Sequence, residues 1–181
     1  GCSLGESISS AEHALGGNTS SRRDCRLIGI DNSGAMIRRA KEQVQSESRI
    51  EWIEADALEV DFAPCSVAIL NFTLQFIPVE QRLSLLKSIH SAMVPGGLLI
   101  LSEKLTMADP AMDTLMIDLH HDFKRSQGYS DLEIAQKRDA IENVLIPETA
   151  QSHSDRLSEA GFSSSSIWFQ CLNFASFIAV A

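Results

Sequence analysis

The chain has 181 residues, 44% of them hydrophobic, enough for one globular domain with a single buried core. Its 15 basic and 24 acidic residues give a formal charge of −9 with no basic stripe, which argues against direct tRNA or duplex binding and for a small-molecule or protein partner. No apolar run approaches the roughly 20 residues that span a bilayer, and the scattered Cys2, Cys25, Cys65 and Cys171 are expected as reduced thiols of a cytoplasmic protein.

The chain opens on a glycine-bearing turn, Gly1-Cys2-Ser3-Leu4-Gly5, and residues 6–15 are expected to form the helix that follows. Gly16-Gly17-Asn18-Thr19-Ser20-Ser21 is a turn-rich break. Arg26 to Ile30 reads as a buried strand leading into Asp31 and Asn32. Ser33 to Gln45 has an N-cap serine and helical spacing through Met36, Ile37, Ala40 and Val44. Ile50 to Ile53 is the next strand, ending in Glu54-Ala55-Asp56. Ser66 to Phe72 is a third, nearly all apolar, as a central parallel strand is. Glu80 to Met93 is an amphipathic helix expected to stop at Pro95-Gly96-Gly97, ahead of a fourth strand at Leu98 to Ser102. Residues 105–150 then read as wholly helical and polar, most clearly over Asp131 to Val144. After a short helix near 152–160, Ser166 to Cys171 and Phe174 to Val180 are separated only by Leu172-Asn173 and read as an antiparallel hairpin.

Alternating strands and helices specify a doubly wound parallel α/β sheet. Such a sheet ending in an antiparallel hairpin, with helical material inserted before it, resembles the class I S-adenosylmethionine-dependent methyltransferases. On this reading residues 1–181 are one ligand-binding domain with a helical insert at about 105–150, and the strand that should lead into Gly1 is missing from its N-terminal side.

In this layout a ligand lies across the carboxyl ends of the strands. Gly1, Ser3 and Gly5 would pass beneath the amino-acid end of S-adenosylmethionine, the alternative being an ordinary Gly/Ser turn. Asp31 can accept both ribose hydroxyls, or else simply cap the next helix. Asp56 can accept from the adenine amino group, or else be a solvated loop acid. Asn71, both donor and acceptor, would face the sulfonium region, or else satisfy backbone groups.

The insert is dense in cations although the chain is acidic. Ser130 and Glu133 make a capping box, so a helix is expected from Asp131, with Arg138 two turns along it. Most charges here fit a solvated helical face with pairs such as Glu133 with Lys137. Adjacent His120 and His121 would point about 100 degrees apart on a helix, which disfavours a shared metal.

Longer strings carry a closer resemblance. Gly1-Cys2-Ser3-Leu4-Gly5, Ile30-Asp31-Asn32-Ser33, Leu70-Asn71-Phe72-Thr73-Leu74-Gln75-Phe76, Leu101-Ser102-Glu103-Lys104, His120 to Tyr129, Gln136-Lys137-Arg138, Glu142-Asn143-Val144 and Trp168-Phe169-Gln170-Cys171 resemble the carboxy-S-adenosylmethionine synthases of the bacterial tRNA wobble-uridine oxyacetic acid pathway. The resemblance implies transfer of a carboxyl group from prephenate to the methyl carbon of S-adenosylmethionine by way of a sulfonium ylide, with phenylpyruvate as the second product. It implies ligand contacts from Gly1, Ser3, Asp31, Asn32, Asp56, Ala57 (through its backbone) and Asn71, and a carboxylate-binding role for Arg138. A guanidinium suits that role because it grips a carboxylate with two parallel donors and keeps its charge. The resemblance also implies a homodimer. Family members carry an upstream helical region with a ligand-contacting tyrosine and then a first strand, so the sequence is expected to be part of a longer protein.

Two other readings compete: an ordinary small-molecule methyltransferase, and a non-catalytic S-adenosylmethionine-binding subunit. The cationic insert beside a full set of ligand-binding positions favours the synthase. No single Asp, Glu or His stands out as a catalytic base.

Overall fold

The computed structural model describes residues 1–15, 25–44, 48–142 and 144–181, with backbone alone for 137–142. The turn-rich break at 16–21 and the end of the helix expected to reach Gln45 lie outside the described residues. The chain divides into two compact units, Gly1–Asp61 and Phe62–Ala181.

The first unit contains α1 (Glu6–Leu15), β1 (Leu27–Asp31), α2 (Gly34–Gln43) and β2 (Ile50–Glu54). The two strands run parallel, from Leu27 opposite Ile50 to Asp31 opposite Glu54. Ile37 and Ala40, one turn apart on α2, are buried together with Ile50. Glu12 ties α1 to the start of β2, its carboxylate accepting from Ser48 Oγ at 2.8 Å and Arg49 N at 2.6 Å. Trp52 fills the space that two glycines leave open: a Cβ on Gly5 would stand 2.2 Å from its ring, and one on Gly29 2.8 Å from it. The glycines at both positions are therefore steric requirements of this packing.

The second unit contains β3 (Cys65–Asn71), a 3-10 turn (Leu74–Phe76), α3 (Val79–Ala92), β4 (Met93–Lys104), α4 (Pro110–Ser126), α5 (Asp131–Glu142), α6 (Ala150–Ala160), β5 (Ser164–Cys171) and β6 (Phe174–Val180). Its sheet has the order β3-β4-β6-β5, with β3 and β4 parallel and the other pairs antiparallel. The terminal hairpin thus inserts its second strand beside β4. Leu85, Leu86 and Ile89 of α3, Leu157 of α6, Leu99 and Leu101 of β4 and Phe177 of β6 form the core.

Two expectations need correction. The strand expected to begin at Leu98 begins at Met93 and runs through Pro95-Gly96-Gly97. Gly96, at φ +77°, donates its N–H to Ala181 O at 2.9 Å, and Ala181 N donates to Gly97 O at 3.0 Å, so backbone pairing carries the strand through residues that would end a helix. Nor is 105–150 wholly helical. Leu105 bridges Glu148 in parallel, and Thr106 N donates to Glu148 O at 3.1 Å, so the insert leaves and returns as extended chain on either side of α4 and α5.

A buried polar network holds that return. The fully buried Arg82 of α3 donates to Ile77 O (2.9 Å), Gln75 O (3.2 Å) and Ile146 O (2.9 Å), and pairs with the Glu148 carboxylate. Glu148 also accepts from Arg156 of α6 at 2.5 Å. Burial works to raise the Glu148 carboxyl, and the hydrogen bonds from Arg156 and Arg82 outweigh it, leaving the group below its ordinary value. Beside this network, burial pushes the His153 imidazole down to about 4, and neither ring nitrogen has a hydrogen-bond partner among the described residues.

Removing one partner from a buried charge pair strands the other. Arg82→Leu is expected to cost about 3–5 kcal/mol in denaturant unfolding, with Arg82→Lys recovering only part because one ammonium cannot span four acceptors. His153 gives a pH dependence of definite sign. Between its unfolded value of 6.5 and its folded value of about 4, the unfolded chain binds a proton that the folded chain refuses. Stability from this residue is therefore present above pH 6.5 and declines on acidification, by about 3 kcal/mol once the pH falls below 4. His153→Leu is expected to flatten that acid limb in urea titrations, and an unchanged slope would show that the imidazole charges within the fold.

Candidate functional site

In the first unit the opening turn is fastened to the end of β1. Cys2 N donates to Ile30 O at 2.8 Å, and Gly5 N to Cys2 O at 2.9 Å. Ser3 and Gly5 are both left-handed, with φ of +50° and +80°. This twist aims Ser3 N at Asp31 Oδ2, 2.8 Å away. The other oxygen, Oδ1, accepts from Ser33 N at 2.9 Å. Asp31 is only 7% exposed, and each of its oxygens still has a second lone pair to offer.

The helix-capping alternative for Asp31 does not apply: Ser33 caps α2, its Oγ accepting from Met36 N at 3.4 Å. The carboxylate of Asp31 instead organises the turn that a ligand would meet. Asp56 follows β2, where Ala55 N donates to Asp31 O at 3.0 Å. Its Oδ1 accepts from Leu58 N at 2.9 Å, which orients the half-buried side chain. Gly1, Ser3, Asp31 and Asp56 therefore gather at the carboxyl ends of two parallel strands, with Asn32 exposed beside Asp31 and Ala57 half-buried beside Asp56. Acceptors of this kind fit the ribose hydroxyls and amino group of an adenosyl ligand. Burial, and then Asp31, raise the neighbouring Cys2 thiol to about 11.

In the second unit Asn71 is exposed at the carboxyl end of β3, opposite Ser102 of β4. Phe72 follows in a left-handed conformation, φ +52°, fixed by its N–H to Ser102 O at 2.8 Å. Behind it the Glu103 carboxylate, fully buried, accepts from Leu74 N (2.9 Å) and Gln75 N (3.0 Å). Desolvation dominates over these bonds and raises Glu103 to about 7.

The expected capping box is present: Glu133 accepts from Ser130 N and Oγ at 2.8 and 2.7 Å, and Ser130 Oγ accepts from Glu133 N at 3.3 Å. Arg138 lies on α5, and its side chain, like that of Lys137 in the expected pair with Glu133, falls outside the described residues. No cluster of three or more metal-ligand side chains occurs among the described residues.

Sequence reasoning did not identify an assembly around Phe174. The His120 ring stands edge-on to it at 4.9 Å, Phe72 does the same at 5.9 Å, and Lys104 is its cross-strand partner. Residues from four separate segments make up this group, so no spacing in the sequence announces it.

A family profile described as a methyltransferase domain matches residues 1–97. The chain is 53% identical to the carboxy-S-adenosyl-L-methionine synthase of Geobacter sp. (strain M21), over 99% of this chain and 73% of that protein. It is 51% identical to the protein of the same name from Pseudomonas aeruginosa (strain UCBPP-PA14), over 99% and 74%. Human N-acetylserotonin methyltransferase, solved with S-adenosylmethionine, shares the fold at a TM-score of 0.63 and 18% identity, over 99% of this chain and 45% of that one.

Asp31→Ala removes the acceptor for Ser3 N and Ser33 N. Titration calorimetry is expected to show S-adenosylmethionine binding weakened by about 100-fold, on the scale of hydrogen bonds to a charged group. Unchanged affinity would remove Asp31 from the site.

Proposed function

Because the chain belongs to the carboxy-S-adenosyl-L-methionine synthase family, we propose that it converts S-adenosylmethionine and prephenate into carboxy-S-adenosylmethionine and phenylpyruvate. The observation that carries this reading is the buried Asp31 carboxylate, held by Ser3 N and Ser33 N with lone pairs to spare for a ribose. Gly1, Ser3, Asn32, Asp56, the Ala57 backbone and Asn71 complete the adenosyl contacts, so that residues 1–181 work as one ligand-binding domain with an insert.

Arg138 receives the new carboxylate. An ordinary methyl donor presents no anion at its reactive carbon, whereas prephenate and the product both place a carboxylate there, and a guanidinium serves both. The atoms balance without a further reagent. Prephenate gives up a carboxyl group and its ring hydroxyl, its ring becomes aromatic, and the hydroxyl departs with the methyl proton as water.

The product supplies a cytoplasmic tRNA wobble-uridine modification carried out by another enzyme, in keeping with a charge of −9 on this one. The working form is a homodimer. Exposed apolar side chains support it, with Ile167, Trp168 and Phe169 on β5 and Met112, Leu115, Leu119 and Phe123 at helical spacing on α4. Among the described residues no helix is long and apolar enough to cross a membrane.

Mass spectrometry of the ligand released by denaturing the full-length protein, incubated with both substrates, is the test. A species heavier than S-adenosylmethionine by one carbon dioxide is expected. S-adenosylhomocysteine in its place would make the protein a methyltransferase, and retained S-adenosylmethionine without turnover would make it a binding subunit. Arg138→Leu is expected to abolish the carboxylated product while S-adenosylmethionine still binds.

A further inference from the structure

In a chain of net charge −9, the surroundings of His120 are cationic. Desolvation first, and then Lys124, Lys104 and His121, lower its imidazole to about 4, and no carboxylate is among the groups acting on it. These groups come from both elements packed there, Lys104 from the end of β4 and Lys124 and His121 from α4. Lys104 is half-buried, and its ammonium has neither an ion pair nor a hydrogen bond among the described residues. Partial burial of an unpaired cation beside like charge is unfavourable, and a bound anion is what relieves it. The apolar side of the cluster is equally specific: Phe174 meets His120 and Phe72 edge-on, at 4.9 and 5.9 Å. The left-handed backbone at Phe72 holds its ring there, 42% exposed.

We propose that Lys104 and His120, with Lys124 behind them, form the carboxylate-binding platform for the organic acid that donates the carboxyl group, and that Phe72 and Phe174 form the wall against its ring. This rests on the carboxyl-transfer reading above and adds residues to it. Lys104 supplies the full charge. His120 donates one N–H to the carboxylate, and Phe72 and Phe174 bury the unsaturated ring. A phosphate or a metal-bound anion would make no use of that apolar wall. Arg138 remains the partner of the carboxyl group that is transferred, so the platform serves the donor's other carboxylate, the one that phenylpyruvate retains.

The test uses full-length enzyme saturated with S-adenosylmethionine while prephenate is varied. Lys104→Met is expected to raise KM for prephenate by about 10- to 100-fold, the scale of one charge-assisted hydrogen bond, with KM for S-adenosylmethionine unchanged. Lys104→Arg should restore most of the loss. His120→Asn should show the same split between the two substrates, which covers the case of a Lys104→Met protein that does not fold. In the wild type, the His120 imidazole followed by NMR should take up protons at higher pH when phenylpyruvate is added, since an anion stabilises the charged ring. Product formation with unchanged prephenate KM in both variants overturns the platform and leaves the carboxyl-transfer reading standing. No carboxylated product from the wild type overturns that reading, and the platform with it.

Discussion

A buried guanidinium sets the architecture of the second unit. Arg82 has no exposed surface, and its donors require acceptors that the helix bearing it cannot provide. They are met by carbonyls at Gln75, Ile77 and Ile146 and by the Glu148 carboxylate. This single group therefore fixes the 3-10 turn after β3 and the extended return of the insert. The return in turn bridges to Leu105, at the carboxyl end of β4, where Glu103 and Lys104 stand. A buried charge in the interior thus positions the half-buried Lys104 at the end of β4.

The first unit solves a different problem, that of bringing backbone N–H groups against a carboxylate. Trp52 occupies the room that Gly5 and Gly29 leave, and it holds the opening turn close to β1. The turn can then present Ser3 N to Asp31 from a left-handed conformation. An added Cβ at Gly5 would displace the turn, and with it the contact that keeps Asp31 oriented.

Much of this was legible because it depends on local order. The strand-and-helix rhythm, the Ser33 cap, the Ser130–Glu133 box and the hairpin across Leu172-Asn173 are written in residues a few positions apart, and the structure contains each of them. The errors arose where distant segments overrode local preference. Pro95-Gly96-Gly97 reads as a stop, yet pairing with the chain's last residue keeps it in a strand. Residues 105–109 and 144–149 read as parts of a helical insert, yet they are drawn out as extended chain by each other and by Arg82.

By itself the sequence determined the fold class, the family and the acidic positions at the ends of β1 and β2, because periodicity, caps and glycine turns act over a few residues. Tertiary structure alone decided that Arg82 is an interior tie rather than a solvated helix charge. It alone brought Lys104, His120 and the rings of Phe72 and Phe174 to one place. Burial and electrostatic environment depend on what packs opposite a side chain, and those partners stand tens of residues away along the chain.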